Sequence, residues 1–187
     1  MQINEITQRT VASEMSFIRG IRNLLGTGQL PLPIFETKPL IGGAAAIFSG
    51  ILGQTTWHYD QPVVIEINSQ ILGDKNTTRR VLAHELCHEA EFLLYWEPLI
   101  RGKRNKLASF IQNKLAYAAG KDYVVLIKQA NEMSDKFSVL LKEISRKLSD
   151  PSNSHGRRWK AYANKVNAKY GKDFVTPLSD ESYILKK

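Results

Sequence analysis

The chain has 187 residues with a hydrophobic fraction of 43%, which fits one domain with its own core. Its single cysteine, Cys87, excludes an intramolecular disulfide and a Cys-x-x-Cys zinc ribbon, and the lack of a membrane span or signal-peptide pattern predicts an intracellular, cytoplasmic protein. The net charge of +8 lies in the second half, because residues 1–100 carry 7 Lys/Arg and 10 Asp/Glu whereas residues 101–187 carry 19 and 8.

The first part of the chain is predicted to form a helix followed by a small sheet. Apolar residues at helical spacing predict a helix over residues 4–25, which Gly26 and Gly28 end. Alternating β-branched and aromatic residues then predict strands over residues 54–59 and 63–67. We expect these strands to belong to a small antiparallel sheet.

Helices are predicted for most of the remaining chain. The first has N-cap candidates at residues 76–78, continues to about Tyr95 and is ended by Pro98 and Gly102. Two more are predicted over 104–119 and 123–148, and a last one begins near His155. The helix over 123–148 carries an apolar stripe at alternating four- and three-residue steps: Leu126, Ala130, Met133, Phe137, Leu140 and Ile144. The pattern predicts an α+β fold in which residues 97–149 form a helical hairpin insertion.

The motif that indicates chemistry is His84-Glu85-Leu86-Cys87-His88, an H-E-x-x-H pattern inside a predicted helix. Helical positions i and i+4 share one face, so both imidazoles can bind one zinc ion. Glu85 would then be the general base that takes a proton from a zinc-activated water during peptide hydrolysis.

A catalytic zinc site needs a third protein ligand, and the sequence offers two candidates. His155 precedes a glycine at the start of the last predicted helix, where a small residue permits close backbone approach. Glu132 would be a downstream glutamate ligand, as in thermolysin-like enzymes, but it lies beside the apolar stripe of its helix rather than in it. We favour His155.

Two strings of the sequence are similar to the motifs of one known family. The string VLAHELCHEA, which begins at Val81, and the later HGRRW, which ends at Trp159, resemble the SprT-like (Spartan) zinc metalloprotease family. The resemblance covers about residues 34–96 and 150–183. We expect residues 1–187 to form a single SprT-like metallopeptidase domain that is monomeric and binds one zinc ion. The resemblance also implies that the substrates are DNA-associated or DNA-crosslinked proteins, a role in DNA–protein crosslink repair. The stretch of residues 97–149 is longer than the family usually places between its motifs.

A nucleic-acid surface is predicted from the basic second half of the chain. Its proposed members, expected on one side of the molecule, are Arg101, Lys103, Arg104, Lys106, Arg157 and Arg158. Such a surface would make DNA a partner and could associate the protein with the nucleoid; a solvated lysine-rich helix surface explains the same residues equally well. Two other functions stay open: a zinc peptidase without nucleic acid, thermolysin-like with Glu132 as ligand, and a non-catalytic zinc-containing DNA-binding protein.

Overall fold

The computed structural model of the protein describes residues 2–38, 52–57, 61–149 and 155–176. In chain order the elements are α1 (Gln2–Leu25), β1 (Ile34–Lys38), β2 (Gly53–Thr56), β3 (Val64–Asn68), α2 (Lys75–Glu91), α3 (Glu97–Asn113), α4 (Gly120–Ser149) and α5 (Arg157–Tyr170). The α+β class is therefore confirmed. No helix in these ranges has the length and apolar character needed to cross a bilayer.

The chain divides into two compact units. The first unit comprises Met1–Glu91 and His155–Lys187, and the second comprises Phe92–Ser154. The second unit thus begins five residues before the predicted insertion at residue 97. A single metallopeptidase domain with a helical insertion stays a prediction.

The sheet of the first unit has the order β1-β3-β2 and is mixed. Strand β2 pairs antiparallel with β3, whereas β1 pairs parallel with it, with Ile34 opposite Val64. The prediction of an antiparallel sheet was therefore wrong for one of its two pairings. The parallel pairing comes from β1, where the sequence predicted no strand and where most side chains are exposed. Residues 58 and 59 of the strand predicted over residues 54–59 lie outside the described residues.

Helix α2 begins one residue before the predicted caps, because Asp74 is its cap. The Asp74 Oδ1 atom accepts hydrogen bonds from the backbone N–H groups of Asn76 and Thr77, at 3.0 and 3.1 Å. Nearly every side of α2 is buried from Thr77 onwards, so the acids and histidines in it need partners inside the protein. The predicted helix end was also misplaced, since Pro98 lies in the first turn of α3, where its missing N–H group costs nothing.

The second unit contains α3 and α4, which pack against each other. A π-helical turn over Phe92–Trp96 leads into α3, and a 3₁₀ turn over Leu115–Tyr117 follows it. Within the predicted apolar stripe of α4, Ala130 and Ile144 are buried, and the other members are partly exposed.

A buried ion pair joins α1 to α2 in the first unit. Arg22 is 2% exposed, and its Nε atom lies 3.1 and 3.3 Å from the two carboxylate oxygens of Glu89, which is fully buried. Its Nη2 atom also donates to the carbonyl oxygens of Leu30 and Pro31. Burial raises the pKa of Glu89 to about 7, while the Arg22 guanidinium acts to lower it. This network therefore holds α1 against α2 at Glu89, the residue directly after the H-E-x-x-H motif.

Replacing Arg22 with Met is expected to lower the free energy of unfolding by about 3–5 kcal/mol, because it leaves Glu89 buried without a charged partner. Chemical denaturation of the two proteins measures the difference. Arg19→Met is the matched control, since Arg19 lies on the same helix and is exposed; surface substitutions of this kind change stability by about 0.5 kcal/mol or less. Equal stability of the Arg22 variant and the parent would contradict a structural role for the pair.

Candidate metal centre

Three histidines of the first unit come together at one point. His84 and His88 lie one turn apart on α2, and His155 lies two residues before the first residue of α5. Gly156, between His155 and α5, has an extended backbone and is the N-cap residue of α5, without a side-chain hydrogen bond to the helix. The local fold therefore brings two ligand positions from one helix to a third that is 71 residues away from His84 in sequence.

The geometry of the three rings fits a tetrahedral zinc ion. The Nε2 atom of His84 is 3.3 Å from His88 Nε2 and 3.0 Å from His155 Nε2. All three ligand atoms lie within 4.8 Å of one another. Zinc–nitrogen bonds of about 2.0–2.1 Å at the tetrahedral angle separate two ligand nitrogens by about 3.3 Å. Among the residues described, no fourth His, Cys, Asp or Glu joins the group, so the set matches the three protein ligands of an open zinc site.

Burial favours the neutral form of all three rings, which is the form that binds metal. Burial and the neighbouring His155 lower the pKa of His84 to about 3, while a hydrogen bond to the backbone of Thr176 acts in the opposite direction. Burial is also the main cause that holds the pKa of His88 well below its ordinary value. Burial and Lys160 lower the pKa of His155. Each ring can therefore present an unprotonated nitrogen.

Trp159 forms an apolar wall against all three histidines. It is fully buried on α5, and its ring centroid is 4.8 Å from that of His84, 5.5 Å from His88 and 4.4 Å from His155. A rigid indole in contact with three rings limits the rotamers that they can adopt. Trp159 therefore preorganises the three histidine rings.

Glu85, the predicted base, is 5% exposed and is held by strand β2. The Thr55 hydroxyl lies 2.7 Å from Glu85 Oε2 and donates to it. Gly53 of the same strand allows this close approach, because a Cβ atom there would lie 3.0 Å from Glu85 Oε1 and 2.5 Å from Val81 Cγ1. Neither residue was identified from the sequence, and the only signal was a glycine directly before the predicted strand over residues 54–59.

Other residues singled out in the sequence lie elsewhere or have another role. Glu132 is exposed on α4 of the second unit and is not a member of the histidine group. Cys87 is fully buried, and burial, with Glu85 beside it, raises the pKa of its thiol, so it is a neutral core residue. Glu89, which directly follows the H-E-x-x-H motif, pairs with Arg22.

The six predicted nucleic-acid-binding residues fall on two helices. Arg101, Lys103, Arg104 and Lys106 are exposed on α3 of the second unit, and Arg157 and Arg158 are exposed on the first turn of α5 in the first unit. That they form one shared surface stays a prediction. Arg101 also pairs with Glu97, one turn earlier on α3.

Comparison of the chain with protein-family models, with curated proteins and with solved structures gave no match.

Proposed function

We propose that the chain is a zinc-dependent metalloendopeptidase with His84, His88 and His155 as metal ligands and Glu85 as general base. The observation that supports this proposal best is the convergence of the three Nε2 atoms at distances that suit one tetrahedral ion. A zinc site that only stabilises the fold has four protein ligands and needs no general base. The ligand number and Glu85 therefore favour catalysis over the non-catalytic alternative.

The chemistry divides between the metal and this chain's own side chains. Zinc, when bound, supplies Lewis acidity that polarises a substrate carbonyl and acidifies water. Glu85 takes the proton from the attacking water and later gives it to the leaving amine. Thr55 fixes the carboxylate in one orientation for this transfer. The proposed reaction is therefore peptide-bond hydrolysis.

We also propose that the substrates are DNA-associated or DNA-crosslinked proteins and that DNA is a partner of the chain. Support comes from two sources, the sequence resemblance to the SprT-like family and the exposed cations of α3. This helix carries Arg101, Lys103, Arg104 and Lys106 within six residues, all exposed. A chain that carries both a DNA-binding surface and a hydrolytic site brings proteins on DNA to that site.

The test of this function is cleavage of a purified DNA-binding protein by the zinc-loaded chain, with no DNA, with single-stranded DNA and with duplex DNA. Cleavage that is stopped by a chelator and restored by zinc is the expected result. Stimulation by either DNA supports the DNA-associated substrate class, whereas equal cleavage without DNA favours a peptidase that does not use nucleic acid. Cleavage that survives complete removal of metal would end the proposal.

The α3 cations provide a separate prediction for DNA affinity. Replacing Arg101, Lys103, Arg104 and Lys106 with Ala is expected to weaken duplex binding and to flatten its salt dependence. Each lost phosphate contact removes about 0.9 from the log–log slope of affinity against salt concentration. Fluorescence anisotropy with labelled duplex between low and physiological salt measures both quantities.

The control replaces Lys128 and Lys136, two exposed lysines of α4 in the same unit, with Ala. Its salt-dependence slope is expected to stay closer to the parental slope than that of the α3 variant. Zinc content should stay at the parental level in both variants. Parental DNA affinity and slope in the α3 variant would show that α3 is not the DNA site.

A further inference from the structure

An open groove of about 500 Å³ lies between α3 and α4 in the second unit. Its volume is within the range of about 300–1,000 Å³ that small-ligand sites occupy. Met133 lines the groove from α4, and the other lining residues belong to α3 or directly follow it: Asn105, Lys106, Ser109, Phe110, Asn113 and Lys114. None of these side chains is acidic, and Glu132, the neighbour of Met133, does not line the groove.

Two lysines flank an aromatic ring along one side of this groove. Lys106 and Lys114 lie one turn before and one turn after Phe110, and positions four residues apart share a helix face. The helical turn continues to Lys114, whose N–H group donates to the Phe110 carbonyl oxygen at 3.1 Å. At a rise of 1.5 Å per residue, the backbone positions of the two lysines are about 12 Å apart. The ring of Phe110 therefore lies between two exposed positive charges.

The Phe110 ring can be reached from solvent on one side. The Nζ atom of Lys114 lies 5.7 Å from the ring centroid, and Lys114 is an exposed residue. A cation–π contact of this kind is weak at an exposed position, so a flat ring from a ligand can take the place of the ammonium group. Met133 adds a polarisable apolar wall to the same groove.

An accessible aromatic ring between cations suits a ligand that joins flat bases to phosphates. Lysines bind phosphates, and unpaired bases stack on aromatic side chains. The bases of a duplex stack on one another and present only their edges in the grooves, so they leave the ring unused. The charge of α3 favours such a polyanion, because Glu97 is its single acid and pairs with Arg101. An apolar partner would instead cover Lys106 and Lys114 without neutralising them, which is unfavourable.

We infer that the groove between α3 and α4 binds single-stranded nucleic acid: an unpaired base stacks on Phe110 beside Met133, and Lys106 and Lys114 bind the phosphates on either side of it. The inference deepens the proposed function, on which it rests for DNA as the partner, because it names the strandedness of that DNA. Cations alone bind the phosphates of duplexes and single strands alike. The stacking ring is the element that makes unpaired bases the preferred ligand.

The experiment compares the affinity of the full chain for a labelled oligothymidine with its affinity for an oligomer of equal length that has stable abasic sugars. Both probes carry the same phosphates, so the difference in affinity reports contacts with bases. The parent is expected to bind oligothymidine about 5–150-fold more tightly, the usual contribution of one stacked base. Phe110→Ala should remove this difference. Its salt dependence should equal that of the parent, because no phosphate contact is lost.

Three further variants separate stacking, charge and folding. Phe110→Trp should keep the preference for bases, because an indole also stacks, whereas Phe110→Leu keeps an apolar side chain and should lose most of it. Phe110→Leu also supplies the result if Phe110→Ala does not fold, as judged by circular dichroism. Lys114→Ala should keep the preference and flatten the log–log salt slope by about 0.7 on single strands.

Tyr123→Ala is the matched control. Tyr123 is an exposed aromatic residue on α4 of the same unit, and it does not line the groove. Its replacement should leave both the preference for bases and the salt slope at their parental values.

Equal affinity of the parent for oligothymidine and its abasic counterpart would overturn the inference, and so would an unchanged preference in folded Phe110→Leu. A dimer in sedimentation that Phe110→Leu dissociates would assign the groove to a second copy of the chain instead. Tighter binding of oligouridine than of oligothymidine would support the stacking site but assign it to RNA. None of these affinities depends on peptide hydrolysis, so a preference for bases in a chain that cleaves no protein would contradict the proposed function alone.

Discussion

Glu85→Gln is expected to lower the rate of peptide hydrolysis by about 10²–10⁴-fold, the usual contribution of a positioned general base. Zinc content should not change, because Glu85 is not a member of the histidine group. Glutamine has nearly the shape of glutamate but no basic oxygen, so it removes proton transfer alone. The loss should appear in kcat rather than in KM, since the missing interaction belongs to the chemical step.

The contacts of Glu85 with β2 explain why glutamine is the informative replacement. The Thr55 hydroxyl donates to Glu85 Oε2, and it can donate equally to the amide oxygen of glutamine. The Glu85 side chain lies close to Gly53, where a Cβ atom would come within 3.0 Å of Oε1, and glutamine fills the same space as glutamate. The fold and the side-chain position should therefore survive the change, and activity reports the base itself.

Steady-state cleavage of a labelled protein substrate, together with zinc analysis of each preparation, measures the effect. Glu36→Gln is the matched control, because Glu36 is an exposed carboxylate on β1 of the same unit, and its activity should equal that of the parent. Cleavage by Glu85→Gln at the parental rate would remove Glu85 from the mechanism and leave the three histidines without an assigned base.

Local patterns predicted the part of the site that lies on one helix. The four-residue spacing of His84 and His88 requires only helical geometry, which the surrounding apolar residues indicate. The structure shows this helix and places the two rings 3.3 Å apart at Nε2. His155 could be named because a third ligand was expected and few candidates exist in the chain. Its distance from His84 could not be predicted.

Contacts between distant segments were not predictable from the sequence in the same way. Strand β1 pairs in parallel with β3, and a parallel partner leaves no turn sequence between the two strands to indicate it. Glu89 directly follows the H-E-x-x-H motif, and its partner is Arg22, 67 residues away in sequence. Thr55 contacts Glu85 across 30 residues. Ordinary residue types make each of these contacts, so composition and periodicity do not signal them.

The second large effect concerns the metal itself: His84→Ala, His88→Ala and His155→Ala are each expected to lower zinc affinity by about 10²–10³-fold. Structural four-ligand zinc sites bind with about 10–16 kcal/mol, which is about 2.5–4 kcal/mol for each ligand. The parent should hold one zinc ion. His155→Ala is the most informative variant, because His155 comes from a separate segment and its removal leaves α2 unchanged in sequence.

Zinc content after dialysis and affinity by chelator competition measure the losses, and Glu132→Ala is the control, since Glu132 is exposed on α4 of the second unit. His155→Cys supplies a further check. A thiolate can replace an imidazole on zinc at a bond length of about 2.3 Å, so this variant should recover part of the affinity and, with cobalt in place of zinc, show a sulfur-to-metal charge-transfer band. Zinc retained by His155→Ala but lost by Glu132→Ala would assign the third ligand to Glu132, and the chain would then belong with the glutamate-ligand peptidases.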